Sequence, residues 1–429
     1  MFAEKNFHLV GIGGIGVSGL GRILRDSGKT VSGSDVENSP VIEKLQAEGF
    51  SISIPQRPEN LQMNAEVVIY STAVSPKNSE LVEAKKRGLK VLSYPEALGQ
   101  ITKNKRVIAV AGTHGKTTTT SLIIAACLAA GEDISCLVGT NLTILDDQNA
   151  RLGKSDWFVI EACEYRRAFL NLCPTILVVT NIEAEHLDYF QDLTDYESAF
   201  IELVRKLPEN GVLVANSHET NLSNVISKAP HFFDAANVQL NFSLKIPGEH
   251  NRRNATLAFV VSELLNLDAT KAYAGIENFN GGWRRFEDRG EFHGAKIIDD
   301  YAHHPTEIQA TLAAAREKFP TRRIIIVYQQ HQVSRAKKFF TELGACFSEA
   351  DVVVIPNIYA VRDENEKKLA ETTAKDLVKE IQKNHSEVHF TQNFEKTVAW
   401  LQENLQKNDV VIVAGAGDVF RITEKLLTS

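Results

Sequence analysis

An excess of positive charge is missing from this chain. Its 47 lysines and arginines are outnumbered by 54 aspartates and glutamates, giving a net charge of −7 at pH 7. That excludes a nucleic-acid binder driven by phosphate neutralisation. Cysteine is scarce. Cys127, Cys136, Cys163, Cys173 and Cys346 have no metal-ligand spacing, and an odd number in a long chain fits a reducing cytoplasm. No run of about 18 apolar residues is present to span a bilayer. Residues 7–24 are apolar enough to suggest a signal segment. Their glycines, and the want of a basic leader and a small-residue cleavage site, argue against export. Repeats and low-complexity tracts are lacking too. What remains is an ordinary globular composition, 43% hydrophobic and 24% charged, with a length that at about 150 residues per domain suggests three domains.

The richest stretch is Val107–Thr120, VIAVAGTHGKTTTT. An apolar β-branched run stops at Gly112, turns through Gly115 and delivers Lys116 and Thr117 to a predicted helix. Strand, glycine turn and helix N-terminus together make an anion site, because backbone N–H groups and the positive end of the helix dipole face the ligand. Gly112, Thr113, His114, Gly115, Lys116, Thr117 and Thr118 are therefore candidate ATP contacts. Lys116 would reach the β/γ-phosphates, and the Thr117 hydroxyl would ligate Mg²⁺. The longer G-x-x-x-x-G-K-[ST] form fails only at its first glycine, which is Val110 here.

Residues 7–35 read as a second nucleotide motif. A strand (Phe7–Val10) meets Gly11, Gly13, Gly14 and Gly16, a helix follows, and a short strand ends at Ser34 and Asp35. Glycines admit a pyrophosphate to the backbone, and the distal acid meets a ribose or base. Alone, this fingerprint gives an NAD site by default, and an NAD(P)-dependent oxidoreductase stays open as an alternative. Strands at Glu66–Val74, Asp156–Glu161, Thr175–Asn181, Ala295–Ile298, Arg323–Tyr328, Asp351–Ile355 and Asp409–Ala414 alternate with helices, among them Tyr196–Leu207 and Asn251–Leu265. That alternation predicts mostly parallel α/β sheets. The expected boundaries give domains at 1–103, 104–284 and 285–429.

Polar residues cluster where these strands end, which is where open α/β sheets place ligands. Glu161 stands opposite the phosphate loop as a Mg²⁺ ligand candidate. His186, flanked by Glu183, Glu185 and Asp188, is a candidate for a second metal position. Asn251 and Asn254 lie one turn apart on a helix and could read an adenine edge, although Asn251 could equally cap that helix. Arg284 and Arg285 are phosphate-clamp candidates or a solvated basic pair. Asp300, Tyr301, His303 and His304 follow one strand, His331 and Arg335 follow another, and GAGD at 415–418 reads as a tight packing turn.

Taken in order, these segments resemble the Mur ligases of peptidoglycan synthesis: G-T-H-G-K-T-T-T, E-x-x-E, N-I-E-x-x-H-L-D, H-N-x-x-N, R-R-F-E and D-D-Y-x-H-H-P-T-E-I. The resemblance covers essentially the whole chain. It implies a Rossmann-like UDP-binding domain, a central P-loop ATPase domain and a C-terminal Rossmann-like domain that binds an amino acid. It also implies ATP and Mg²⁺ as cofactors, and a carboxylate activated as an acyl phosphate before an amine attacks it. G-I-G-G-I-G-V-S-G, S-G-S-D and S-T-A-V resemble the branch that joins L-alanine to UDP-N-acetylmuramate. On that resemblance Gly11, Gly13, Gly14, Gly16, Ser34, Asp35, Ser71, Thr72 and Ala73 hold UDP-sugar rather than NAD. Lys116, Glu161, His186 and Arg285 are the catalytic set, and Thr117, Glu161 and His186 hold metal. Asn251, Asn254, Arg285 and Asp300 complete the ATP site, and Tyr301, His331 and Arg335 receive the amino acid.

Two positions depart from the family pattern. Phe200 stands where many members carry a carbamylated lysine, and YQQHQVSR replaces the usual F-Q-P-H-R-[YF]-[ST]-R. The rival within the family is the recycling ligase that adds a tripeptide to the same UDP-sugar. Ala302 leans that way, and His331 with Arg335 lean back towards free alanine. A cytoplasmic protein with no nucleic-acid or membrane partner, monomeric or a weak homodimer, is expected.

Overall fold

The structure is a computed structural model. It describes the chain except residues 1, 187, 332 and 360–363, and the backbone alone of 334 and 364–372. The chain divides into two bodies, Met1–Ser243 with Arg253–Phe279, and Leu244–Arg252 with Asn280–Ser429.

The first body carries two sheets. One runs Ser51–Ser53, Thr30–Ser34, Asn6–Val10, Val67–Tyr70, Lys90–Ser93, all parallel. Its central strand is the one that feeds the first glycine turn. The other sheet runs His231–Asp234, Val212–Ala215, Ile176–Val179, Arg106–Ala111, Trp157–Glu161, Ser135–Leu142, Gln148–Arg151, parallel except for the last pair. The phosphate-loop strand Arg106–Ala111 is central and wholly apolar beyond its first residue, as a strand buried on both faces must be. Apolar side chains of the two sheets merge into one cluster that includes Leu9, Leu20, Ile101, Leu137 and Phe169.

The second body holds one sheet, Glu287–Phe292, Ala295–Asp300, Val410–Ala414, Ile324–Tyr328, Val352–Ile355, Val388–Phe390, in which only the first strand is antiparallel. Alternate residues feed opposite cores: Ile298, Ile326 and Ile412 on one face, Ile297, Ile325 and Val411 on the other. This is the period-2 geometry of strands.

Predicted elements recur with shifted ends. The strand expected over Glu66–Val74 closes at Tyr70, because Val74 N–H turns back to Ser71 C=O. The helix expected at Tyr196–Leu207 spans Leu193–Val204, because the Asp192 carboxylate accepts from Asp195 N–H and starts it a turn early. Among the described residues no helix is long and apolar enough to cross a membrane.

Candidate active site

The phosphate loop forms as its residues dictate. Gly112 has φ +136°, and a Cβ there would lie 2.0 Å from Thr180 Oγ1. Gly115 caps the helix Lys116–Ala129 with φ +80°. A side chain at either position would be strained, so the two glycines set the turn. The neighbouring strand end holds the loop in place: Thr113 N–H donates to Asn181 C=O (3.0 Å) and His114 N–H to Asn181 Oδ1 (2.9 Å). Thr113 Oγ1 donates to Glu183 C=O and lies 3.1 Å from the Tyr196 hydroxyl. Thr118 is half-buried on the helix's first turn. Asn254 belongs to the same body, and a Cβ on Gly115 would lie 2.7 Å from its Oδ1.

Lys116 spends all three ammonium protons on the protein. Its Nζ donates to Gly112 C=O (2.5 Å), Thr113 C=O (2.9 Å) and Glu164 Oε1 (3.0 Å). The same Glu164 oxygen lies 3.3 Å from His186 Nε2. Glu164 is 1% exposed, and its second oxygen is buried with no hydrogen-bond partner among the described residues. Burial pushes this carboxyl up, but the Lys116 charge and His186 outweigh burial, and it lies at about 2. Burial would lower Lys116, yet Glu164 and its neighbours hold the ammonium above its ordinary value.

Next to Lys116, the Thr117 hydroxyl donates to Glu161 Oε1 (3.0 Å), and Gly139 N–H donates to Glu161 Oε2 (2.8 Å). Sheet register does this: Glu161 pairs with Val110, just before the loop. Thr117 thus meets Glu161, while Lys116 and His186 share the Glu164 carboxylate.

Of the acids flanking His186, Glu185 accepts from its backbone N–H (3.3 Å), and the other two have different partners. Glu183 turns to His114 (3.0 Å) and Asp188 accepts from the Tyr165 hydroxyl (2.9 Å). His186 stands at φ +53°, its carbonyl accepting from Tyr189 and Phe190 N–H, with its ring against Tyr165. Its carboxylate partner is Glu164. Sequence reasoning quoted that residue only as the second acid of E-x-x-E and gave it no role. Phe200 is buried against Phe169 and Tyr196.

The first glycine turn is equally built. Gly11 and Ile12 N–H both donate to Ser34 C=O (2.8 and 3.1 Å), and Gly13 N–H donates to Asp35 Oδ2 (2.8 Å). A Cβ on Gly11 would meet Ser71 Cβ at 3.0 Å, and Ser71 Oγ accepts from Ala73 N–H. Ser34, Asp35 and the Ser71–Ala73 turn therefore converge on the glycines. Gly16 faces Tyr94, where a Cβ would come within 2.6 Å of the phenol. A cavity of about 230 Å³ opens beside them, lined by Gly16, Tyr94, Leu98, Gly139, Glu161 and Phe169 among others. The helix of the first turn and the metal-ligand candidate Glu161 share this one space.

In the second body, Asp300, Ala414 and Tyr328 pair across adjacent strands. The residues just beyond them therefore share one sheet edge. Arg284 is no phosphate clamp: it is 2% exposed and donates to Gly417 C=O (2.8 Å) and to Gly415 C=O. Arg285 is half-buried, its guanidinium 4.9 Å from the Tyr301 ring centroid. Asp300 accepts from Phe286 and Ala302 N–H and from the Thr311 hydroxyl, and burial raises its carboxyl. His304 caps its helix by accepting from Thr306 N–H, while the His303 ring lies 2.9 Å from Tyr301 C=O. His331 stacks on Tyr359 at 5.2 Å, and burial with the nearby Arg335 charge lowers it. On the boundary helix Glu249–Leu264, Asn251 Nδ2 donates to Pro247 C=O (2.7 Å).

A phosphate loop facing paired carboxylates, a second glycine turn over a shared cavity and a third α/β sheet define a nucleotide-dependent ligase architecture. The chain belongs to the Mur ligase family. Residues 6–106 match the Mur ligase family catalytic domain, 110–236 the Mur ligase middle domain, and 284–417 the Mur ligase glutamate ligase domain. It is 38% identical to a UDP-N-acetylmuramate–L-alanine ligase of Caldanaerobacter subterraneus subsp. tengcongensis, over 99% of this chain and 97% of the relative. In fold it is similar to the UDP-N-acetylmuramate–alanine ligase of Thermotoga maritima (TM-score 0.85, 24% identity, 99% of each chain). It is also similar to a murein peptide ligase of Psychrobacter arcticus (TM-score 0.73, 23% identity, 99% of this chain and 98% of that one).

Proposed function

We propose that this protein joins L-alanine to the lactyl carboxylate of UDP-N-acetylmuramate at the expense of ATP, in the cytoplasm, as a step of peptidoglycan precursor synthesis. The observation that carries the reading is the single cavity shared by Gly16 and Glu161. It joins a UDP-sugar fold to a phosphate-transfer site. The named activity of the 38% identical relative agrees with it.

In the reaction a lactyl carboxylate oxygen attacks the γ-phosphorus, ADP leaves, and an acyl phosphate forms. The alanine nitrogen then attacks the acyl carbon, loses a proton, and inorganic phosphate departs. Transfer between anions needs charge neutralisation and positioning more than covalent help. Lys116 and the N-terminus of the helix Lys116–Ala129 would supply both at the phosphates. The oxygen-rich pair Thr117 and Glu161, with His186 and the unpartnered oxygen of Glu164 nearby, fits a hard divalent cation. Bound Mg²⁺ would neutralise charge on the transferred phosphoryl group. Residues 1–103 would take the UDP-sugar, 104–284 ATP, and 285–429 alanine through Tyr301, His331 and Arg335. Asn254 would meet the nucleotide beside the loop. Arg285, half-buried over Tyr301, would serve the transferred phosphate. We expect a monomer or weak homodimer.

Phosphate release with ATP and UDP-N-acetylmuramate, measured with L-alanine, glycine, L-serine or the tripeptide L-alanyl-γ-D-glutamyl-meso-diaminopimelate, tests the proposal. Release dependent on L-alanine is expected. Release with the tripeptide alone overturns the choice of amine, and none with any amine overturns the ligase reading.

A further inference from the structure

Lys116 has no free proton for a phosphate. Its three donors are taken by Gly112 C=O, Thr113 C=O and Glu164, and an ammonium has only three. A nucleotide phosphate that reaches Lys116 must displace one of them. Both carbonyls belong to a loop pinned by the positive φ of Gly112 and by Asn181 and Glu183. The partner able to leave is the side chain, Glu164.

Its departure creates a second demand. The carboxylate is 1% exposed and would keep His186 at 3.3 Å, while among the described residues its other oxygen has no hydrogen-bond partner. A buried charge stripped of its counter-ion is costly, and an incoming triphosphate adds more negative charge beside it. A hard divalent cation, whose preferred donors are carboxylate oxygens, resolves both.

We infer that Glu164 is an exchange partner: it neutralises Lys116 while the site is empty and passes, with His186, to the divalent cation when a nucleotide phosphate takes Lys116. The inference rests on the ligase reading of this site and adds a rule to it. Nucleotide without cation is penalised by the protein's own carboxylate, so the site accepts the metal complex and discriminates against free nucleotide.

The test is calorimetric titration of the full chain with a non-hydrolysable ATP analogue, in excess EDTA and in excess Mg²⁺, for wild type, Glu164→Gln and Glu164→Asp. Glu164→Gln should bind the metal-free analogue about five- to tenfold tighter than wild type and lose about tenfold or more of the magnesium enhancement, the range of ordinary coupling between sites. Glu164→Asp, which keeps the charge, should keep the magnesium enhancement. A residue that merely supports the fold would not change the coupling between metal and nucleotide in this way. Unchanged or weaker metal-free affinity in Glu164→Gln, with the magnesium enhancement intact, overturns the exchange and leaves the ligase reading standing. If Glu164→Gln does not fold, Glu164→Asp decides: enhancement kept supports the exchange, enhancement lost overturns it. Wild type that binds no nucleotide with or without magnesium brings down both.

Discussion

Asn149 and Arg22 bind the two sheets of the first body together. Arg22 is 2% exposed, and it donates one N–H to Asn149 Oδ1 (2.8 Å) while its other donors grip Glu48. Asn149 returns a donor to Ile15 C=O (2.5 Å), immediately behind the first glycine turn. The contact is close enough to require glycine opposite it: a Cβ on Gly19 would lie 2.7 Å from Asn149 Nδ2. A buried amide thus fixes the edge of the seven-stranded sheet to the helix that follows the first glycine turn.

Asn149→Ala removes both bonds and leaves a guanidinium proton unsatisfied inside the protein, while Ile15 C=O keeps the Ser18 hydroxyl. Loss of about 2 kcal/mol of stability is expected, the usual penalty for orphaned buried groups. The KM for UDP-N-acetylmuramate should rise several-fold more than that for ATP. Urea denaturation and steady-state kinetics check both, and an equal change in the two KM values would contradict the linkage.

Lys116→Ala should lower kcat by about 10²–10³, the scale for loss of one preorganised donor at developing charge. Affinity for UDP-N-acetylmuramate, measured by titration without ATP, should stay within about twofold, because residue 116 is not among those placed at the first glycine turn.

Gly112→Ala should abolish nucleotide binding and destabilise the fold by at least about 2 kcal/mol. A side chain there takes on both a backbone conformation that L-residues rarely adopt and an overlap with Thr180 Oγ1. Adding Thr180→Ala relieves the overlap and not the backbone strain, so the double variant should recover only part of the loss in thermal unfolding. Full recovery would show that the overlap alone mattered.

Asp299 gives a pH signature. It is fully buried, and burial pushes its carboxyl up to about 6 despite the Thr423 hydroxyl and the nearby Arg289. A folded pKa above the unfolded value of about 4 stabilises the fold below pH 4, and that contribution is lost as pH rises through about 6. Asp299→Asn, which cannot ionise, should therefore gain in Tm relative to wild type between pH 4 and pH 7. A Tm difference that is flat or falls across that interval would argue against an ionising Asp299.

Elements whose chemistry is local could be read from the chain. The strand, Gly112, Gly115, Lys116 and Thr117 are contiguous, and an anion site at a helix N-terminus needs nothing from elsewhere. The first glycine turn and Asp35 belong to one βαβ unit and were equally plain. Short strands such as Val212–Ala215 and, at the sheet edge, His231–Asp234 carry no pattern strong enough to separate them from loop. Arg284 and Arg285 are indistinguishable as neighbours. The fold buries the first under Gly415 and Gly417 and leaves the second half-exposed over Tyr301.

The amino-acid order alone determined three α/β sheets, two phosphate-type turns and the residue types a ligase needs. Tertiary structure alone decided which acid serves which base. Lys116 and Glu164 are 48 positions apart, and they meet because Arg106–Ala111 and Trp157–Glu161 lie side by side in register. The His186 ring lies 3.3 Å from that same carboxylate, 22 positions away, although acids stand beside it in the sequence. Pairings of this kind depend on strand order and register, which distant backbone hydrogen bonds and core packing set together, so no local stretch of sequence contains them.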